Sequence, residues 1–271
     1  MRRLRRILCL GPLSILVGCA RCDAPPPRPC QPTLRVAPDP GAPASGRRVV
    51  AVGQIAQTWH VGAWAPAAIT LAEVAPGDAI VVLAACWGDL PAGSSTEPAD
   101  DQGALRRVLD QGAGTVGRKK PPVFVQLYVE LDPAPGPHTI IPPYLGGPAG
   151  DGTLYVAQVR GLTERRVVAS GDSWVRGSRL PEIAVATDRP AEAGDLVIAL
   201  AGYDNVDQRD HSGFSHPPVG WIPLGLNDDA ANNVPSELCY RAAPAPGGQA
   251  LTWTWTDPSV NVAAAVIAAL R

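Results

Sequence analysis

Short apolar runs separated by turn residues fill the chain from residue 46 onward. Two of these runs, residues 80–85 and 196–201, each follow a Gly-Asp pair, Gly77-Asp78 or Gly194-Asp195. A continuous apolar run of strand length is typical of a central strand that is covered on both faces or that closes a sandwich core. We therefore predict a buried strand at each of these places.

The end of the chain has a different, alternating pattern. Threonine and tryptophan alternate over residues 252–256, so Trp253 and Trp255 fall on one face of a strand and the threonines on the other. The last apolar run, residues 260–270, is rich in alanine, but it matches residues 153–162, and we interpret both as strands. These patterns predict an all-β chain.

Segments of the first half recur in order in the second half. The matched segments are 47–53 with 165–171, 76–84 with 193–201, 127–128 with 239–240, and 134–136 with 245–247. One such match arises easily by chance, but an ordered series indicates internal duplication. We predict two tandem β-sandwich domains, jelly-roll-like, over residues 46–162 and 163–271.

The second half also resembles a known module. It contains Gly194-Asp195 before an apolar strand, then Gly220-Trp221, Cys239-Tyr240 and Thr252-Trp253. This series resembles a β-sandwich module of bacterial exported and phage-tail-associated proteins. In the second half, Gly220-Trp221 is part of a Pro-x-Gly-Trp element, and the first half lacks this element. The resemblance implies a fold and brings no catalytic residues with it.

The first 18 residues have the features of an export signal. A basic start leads into an apolar run that is too short to span a bilayer, which needs roughly 20 apolar residues. The run ends in Leu16-Val17-Gly18-Cys19, which resembles the signal of a bacterial lipoprotein. That resemblance implies cleavage before Cys19 and attachment of lipid, palmitate included, to the protein. The alternative is an ordinary secretory signal that is cut near Ala20, Cys22 or Ala24.

Residues 19–45 are rich in proline, and we predict a disordered Pro-rich tether in the polyproline II regime. A lipid-anchored chain of this kind belongs to the bacterial cell envelope. Ala20, rather than an aspartate, follows the cysteine, which favours the outer membrane.

The composition supports this picture and excludes some function classes. The chain has 28 Gly and 30 Pro, and its net charge is −2, without a basic patch of the kind that nucleic-acid binding requires. Among the six cysteines, Cys22 and Cys30 close a short loop and could form a disulfide in an oxidising compartment. Cys86 and Cys239 need no partner as small buried apolar residues.

Candidate chemistry is sparse, and no cofactor is predicted. One polar loop contains three aspartates and two histidines, which could bind Ca²⁺, although the spacing does not match an EF-hand and a solvated loop between strands is the favoured interpretation. These residues are Asp204, Asp207, Asp210, His211 and His216.

The remaining polar candidates give weaker signals. His60 and His138 have no evident partners, and Asp100-Asp101 resembles a pair of loop charges, because adjacent side chains in an extended chain point opposite ways. Gly171-Asp172-Ser173-Trp174-Val175 lacks the last glycine of a serine-hydrolase elbow, and we interpret it as a turn.

Seven tryptophans in a chain with two phenylalanines provide the other candidate site. We predict that Trp221, Trp253 and Trp255 fill the core, because they stand where inward-facing residues are expected. Trp59, Trp64 and Trp87 lie near polar turns and could stack on sugar rings.

We therefore predict a membrane-anchored envelope lipoprotein that acts as a non-catalytic binding or structural module. Its partners would be the membrane, through the N-terminal lipid, and a glycan or an envelope protein. The alternative is a carbohydrate-active or hydrolytic enzyme with its site in the loop from Asp204 to His216.

Overall fold

The computed structural model describes residues 33–36, 51–60, 67–87, 97–111, 123–142, 151–177, 179–204, 214–215, 219–227, 234–255 and 260–271. All regular elements in these ranges are β-strands, and all the strand pairs are antiparallel. The prediction of an all-β chain with two tandem sandwiches is therefore confirmed.

The first sandwich consists of two sheets. The first inner sheet has the order β1-β2-β9-β4-β7-β6, and the first outer sheet has the order β3-β8-β5. The strands are β1 (Thr33–Val36), β2 (Ala51–His60), β3 (Ile69–Val74), β4 (Ala79–Trp87), β5 (Ala99–Asp100), β6 (Arg106–Gln111), β7 (Val123–Glu130), β8 (Gly136–Ile141) and β9 (Asp151–Arg160).

The second sandwich repeats this topology without a counterpart of β1. The second inner sheet has the order β10-β17-β12-β15-β14, and the second outer sheet has the order β11-β16-β13. The strands are β10 (Val167–Arg176), β11 (Glu182–Ala186), β12 (Leu196–Tyr203), β13 (Phe214–Ser215), β14 (Ile222–Asn227), β15 (Ser236–Ala242), β16 (Ala250–Trp255) and β17 (Val262–Leu270). This eight-strand, two-sheet arrangement is jelly-roll-like, as predicted.

Strand β1 is a departure from the predicted tether. Thr33–Val36 pairs with residues Gln57 to Gln54 of β2, at the edge of the first inner sheet. The segment lies between Pro32 and Pro38, and it is free of proline, which cannot donate to a sheet ladder. The rest of the Pro-rich segment lies outside the described residues.

The two inner sheets pack face to face, so the molecule has four layers. Val81 and Leu83 of β4 and Ile198 and Leu200 of β12 belong to one buried central core that both sandwiches share. The other face of each inner sheet packs on its own outer sheet. This forms the first outer core in the first sandwich and the second outer core in the second sandwich. The apolar runs of β4 and β12 are continuous because both faces of each strand are covered.

Several strands of the two inner sheets contact each other across the central core. Strand β6 of the first sandwich contacts β10 of the second, and the equivalent pair, β14 and β2, also contact each other. One buried polar contact crosses this interface: the Tyr155 hydroxyl on β9 donates to the Ser236 carbonyl on β15, at 3.0 Å. The packing is only partly symmetric, because β7 contacts β12 and β17 more extensively than β15 contacts β4 and β9.

Strand register corrects two of the sequence matches. Val52 lies opposite Val159, and Val167 lies opposite Leu270. Val159 and Leu270 are themselves equivalent, since each also pairs with the residue that follows a Gly-Asp turn. Val52 therefore corresponds to Val167, and the match of 47–53 with 165–171 was wrong by three residues.

The second correction concerns β7 and β15. Tyr128 lies in the first outer core and Cys239 in the second outer core, so these two residues are equivalent, rather than Tyr128 and Tyr240. Tyr240 points into the central core instead. The match of 127–128 with 239–240 was wrong by one residue, and a slip of one residue moves a side chain to the opposite face of the sheet.

Candidate functional site

Three polar side chains meet at the edge of the first outer core. Asp100 comes from β5, Glu130 from the end of β7 and His138 from β8, and their donor atoms lie within 4.8 Å of one another. The side chains of His138 and Asp100 are only 1% and 0% exposed. We call these three residues the acid–histidine cluster.

Both ring nitrogens of His138 have partners. Its Nδ1 lies 2.7 Å from Asp100 Oδ2, and its Nε2 donates to the Ala134 carbonyl at 2.6 Å. Because a carbonyl can only accept, Nε2 carries a proton. Burial disfavours a charged ring, but the Ala134 carbonyl and the acids Asp100 and Glu130 outweigh it and raise the pKa of His138 above its usual value.

Glu130 is the least satisfied member of the cluster. Its Oε2 atom is buried and accepts no hydrogen bond. Burial, with a hydrogen bond to Asp100 and the charge of Asp100, raises the pKa of Glu130 to about 7. Gly103 lies against this carboxylate so closely that any side chain at position 103 would overlap it. The cluster therefore favours the protonated form of Glu130 at acidic pH.

The donor set has two possible chemical uses. Two carboxylates and an imidazole could hold a divalent cation, with Nδ1 of His138 as a ligand and Nε2 fixed by the Ala134 carbonyl. His138 itself is satisfied without a cation, because it bonds both Asp100 and Ala134. The donor set does not suit glycoside hydrolysis, because Asp100 and Glu130 are hydrogen-bonded to each other and leave no room for a substrate between them.

The second sandwich has different residues at the equivalent positions. Arg241 corresponds to Glu130, since Val197 lies opposite the former and Ile80 opposite the latter. Gln249 corresponds to His138, because each stands two residues after a glycine with positive φ, Gly247 or Gly136. The acid–histidine cluster is thus a feature of the first sandwich only.

Arg241 makes a simple structural contact in place of the cluster. Its Nη2 donates to Gln249 Oε1 at 2.9 Å, and its guanidinium lies 4.5 Å from the centre of the Trp221 ring. Leu105, which directly precedes β6, corresponds to Trp221, which directly precedes β14. The Gly-Trp element that the first sandwich lacks is therefore the platform on which Arg241 stacks.

The Gly-Asp pairs have a structural role in both sandwiches. Asp195 Oδ2 accepts the Glu192 N–H at 2.7 Å, and Arg271 donates to both Asp195 oxygens, at 2.8 and 2.9 Å. In the first sandwich Asp78 accepts the Ala75 N–H at 2.9 Å and pairs with Arg160 at 3.7 Å. These aspartates close the turn before the central strand and tie it to the end of the last strand.

The predicted aspartate and histidine loop lies mostly outside the described residues. Asp204 is buried at the end of β12, where its N–H donates to the Val262 carbonyl at 2.9 Å. Asp207, Asp210, His211 and His216 are not described, and the Ca²⁺ site and the enzyme hypothesis stay predictions.

The tryptophan and cysteine predictions have mixed outcomes. Trp221, Trp253 and Trp255 are buried, which confirms that they fill the core. Trp59 and Trp87 lie on β2 and β4, although their side chains are outside the described part, as are Trp64, Cys19, Cys22 and Cys30. Cys86 and Cys239 are buried in different outer cores and form no disulfide with each other.

Three minor sequence interpretations were wrong. His138 has a partner, Asp100, on a strand distant in sequence. Asp100 is a buried residue of β5 rather than a loop charge, although Asp101 beside it does point the opposite way, to solvent. Residues 171–175 lie within β10, not in a turn. No local signal marks the acid–histidine cluster, because Asp100 reaches His138 through the pairing of β5 with β8, and Glu130 lies on the other sheet of the sandwich.

Comparisons with known proteins add no relative. The described residues include no helix of the length and hydropathy that crossing a membrane requires. No protein-family model matches the chain, and no curated protein or solved structure matches it either.

Proposed function

We propose that this protein is a membrane-anchored envelope lipoprotein whose paired sandwiches act as a non-catalytic binding or structural module. The observation that carries the proposal is the sequence Leu16-Val17-Gly18-Cys19 at the end of a basic and then apolar leader. A single acyl chain anchors a protein only marginally, whereas several chains anchor it stably. We propose that the protein is anchored in the outer membrane.

The position of β1 supports a short anchor. Thr33 already belongs to the first inner sheet. A chain of about 14 residues from Cys19 to Thr33 spans at most roughly 50 Å when fully extended. The folded body would therefore stay close to the membrane surface, where its ligand or partner would be an envelope glycan or an envelope protein.

The central core that both sandwiches share supports the proposal that they act as a rigid scaffold. The binding candidates, among them Trp59 and Trp87, lie on strands of the first inner sheet, which is held between two other layers. Sites on such rigid elements are held more precisely than sites on loops.

Metabolic labelling with palmitate tests the anchor. Wild type, Cys19→Ala and, as a matched control, Cys22→Ala are labelled and fractionated. We expect wild type and Cys22→Ala to carry label in the outer-membrane fraction, and Cys19→Ala to lose the label. Unchanged labelling of Cys19→Ala would refute lipidation at this residue.

A glycan array with the full-length chain tests the binding role. Retention of one sugar class, lost in Trp59→Ala and Trp87→Ala but kept in Trp174→Ala, would support glycan binding. Absence of any retained sugar at high ligand density would count against a glycan as the ligand.

A further inference from the structure

Within the described ranges, the outer edge of β10 is covered at one end only. Ser170 donates its N–H to the Asp188 carboxylate at 2.9 Å and accepts the Asp188 N–H at 2.7 Å. Backbone groups of alternate strand residues point to the same side, so those of Asp172, Trp174 and Arg176 also point outward from this edge. No strand among the described residues pairs with them.

The equivalent edge of the first sandwich is occupied. Strand β2 corresponds to β10, and its outer edge pairs with β1. The β2 residues that β1 covers, Gln54 to Gln57, correspond to residues 169–172 of β10, so the fold accepts an additional antiparallel strand along this edge. In the second sandwich the adjoining part of the edge, from Asp172 to Arg176, has no partner strand among the described residues. An open edge is a template for pairing with another chain.

The side chains along the open edge are self-complementary. Asp172, Trp174 and Arg176 are exposed on one face of β10, and Trp174 is 38% exposed. If two such strands pair antiparallel about Trp174, Asp172 of each strand lies opposite Arg176 of the other, and the two indoles meet at the centre. Opposite charges and aromatic pairs directly across from each other stabilise antiparallel pairing.

We propose that the partner at this edge is a second copy of the chain, which pairs β10 to β10 and forms a two-fold symmetric dimer. Residues 172, 174 and 176 are the outward-facing positions, so the pairing supplies about six backbone hydrogen bonds, two for each hydrogen-bonded pair. The interface is isologous, as a symmetric dimer requires.

Charge reversal tests the pairing on the full-length chain in mild detergent, with mass measured by light scattering at several concentrations. Wild type is expected to have twice the protein mass of a single chain. Asp172→Arg and Arg176→Asp each place like charges opposite each other and should give the monomer mass. The double variant restores opposite charges and should give the dimer mass. Glu182→Arg, an exposed reversal on β11, is the control and should remain dimeric.

A cross-link tests the centre of the register. Residues 174 of the two copies form a hydrogen-bonded pair, with Cα atoms about 5.5 Å apart, which a disulfide can bridge. Trp174→Cys should therefore give a covalent dimer under oxidising conditions. Ser173→Cys should not, because its counterpart lies on a diagonal and beyond disulfide reach. Wild type shows the background from the native cysteines.

Three results would overturn the proposal. These are a monomeric wild type at every concentration, single reversals that leave the dimer mass unchanged, and a double variant that stays monomeric while its circular dichroism and melting curve match wild type. A dimer that cross-links equally at residues 173 and 174 would refute the register.

Discussion

Glu130 and Arg241 occupy the same position in the two sandwiches and carry opposite charges. Glu130 meets Asp100 and His138, whereas Arg241 stacks on Trp221 and bonds Gln249. The surrounding strand order is the same in both halves. The two halves have therefore kept one scaffold while the chemistry at this position diverged.

The first prediction concerns pH and Glu130. Because the pKa of Glu130 in the folded state, about 7, is above its usual value, the folded chain holds a proton that the unfolded chain releases earlier. This contribution to stability is complete at low pH and is lost as the pH rises through 7. Glu130→Gln should match wild type at pH 5 and be more stable by roughly 1 kcal/mol at pH 8, after allowance for solvent screening. Thermal unfolding at both pH values measures this, and an equal difference at pH 5 and pH 8 would contradict it.

A second buried glutamate should behave in the same way in the other sandwich. Burial raises the pKa of Glu237 to about 7, and its Oε2 has no hydrogen-bond partner. Glu237→Gln should gain roughly 1–2 kcal/mol over wild type at pH 8 and little at pH 5. Glu182→Gln, which removes an exposed glutamate, is the control for the loss of one carboxylate. A loss of stability at pH 8 would show that Glu237 is needed in its charged form.

His138→Gln introduces the residue of the second sandwich into the first. It leaves the buried Asp100 carboxylate without its imidazole partner and should cost about 1–3 kcal/mol. The exposed neighbour provides the control, because Asp101→Asn removes a carboxylate at the surface and should cost less stability than His138→Gln. Urea unfolding at pH 6 compares the two variants. An equal loss of stability in both would refute a stabilising role for the buried pair of His138 and Asp100.

The two Gly-Asp turns allow a comparison within one chain. Arg271 bonds both oxygens of Asp195, and this contact raises the pKa of Arg271, whereas Arg160 is more exposed and stands 3.7 Å from Asp78. Arg271→Leu should therefore cost roughly 2 kcal/mol, and Arg160→Leu less than 1 kcal/mol. Denaturant midpoints with unchanged m-values would measure the difference. The reverse order of costs would contradict this account.

The shared central core predicts a single unfolding transition. Leu83 is fully buried in that core, and Leu83→Ala should destabilise the whole molecule by about 2–5 kcal/mol. Calorimetry should give one peak, with the calorimetric and van't Hoff enthalpies equal, for both wild type and variant. Two resolved peaks, with only the first sandwich affected, would mean that the sandwiches unfold separately.

Much of the fold could be predicted from local patterns, because each pattern has a direct physical cause. The alternation at Trp253 and Trp255 indicates a strand with one buried face, and the continuous apolar run of β12 indicates a strand with both faces buried. The register of the strands was harder to predict from the sequence. Strands β2 and β10 each have one extra residue, after Val52 and Val167, so these bulges keep the two strands equivalent. The repeated letters Arg-Arg-Val-Val-Ala fall at positions that are not equivalent, and matching letters therefore did not mark matching positions.

The acid–histidine cluster could not be predicted, because its geometry depends on the pairing of β5 with β8 and on the packing of one sheet on the other. Asp100 reaches β8 through a strand of only two residues, and Glu130 stands at the end of β7. The packing of the inner sheets on each other was also invisible, since an apolar face does not specify which sheet covers it. Both features depend on contacts between residues far apart in sequence.

The central core that the two inner sheets share has a thermodynamic consequence. The two sandwiches bury this core together, as the subunits of an obligate dimer do, and here they are joined by the short connection from β9 to β10. Covalent linkage replaces a concentration-dependent association by an intramolecular one with a high effective concentration. The pair therefore stays assembled at any dilution, and each half can change its own surface residues without having to preserve them in an identical partner.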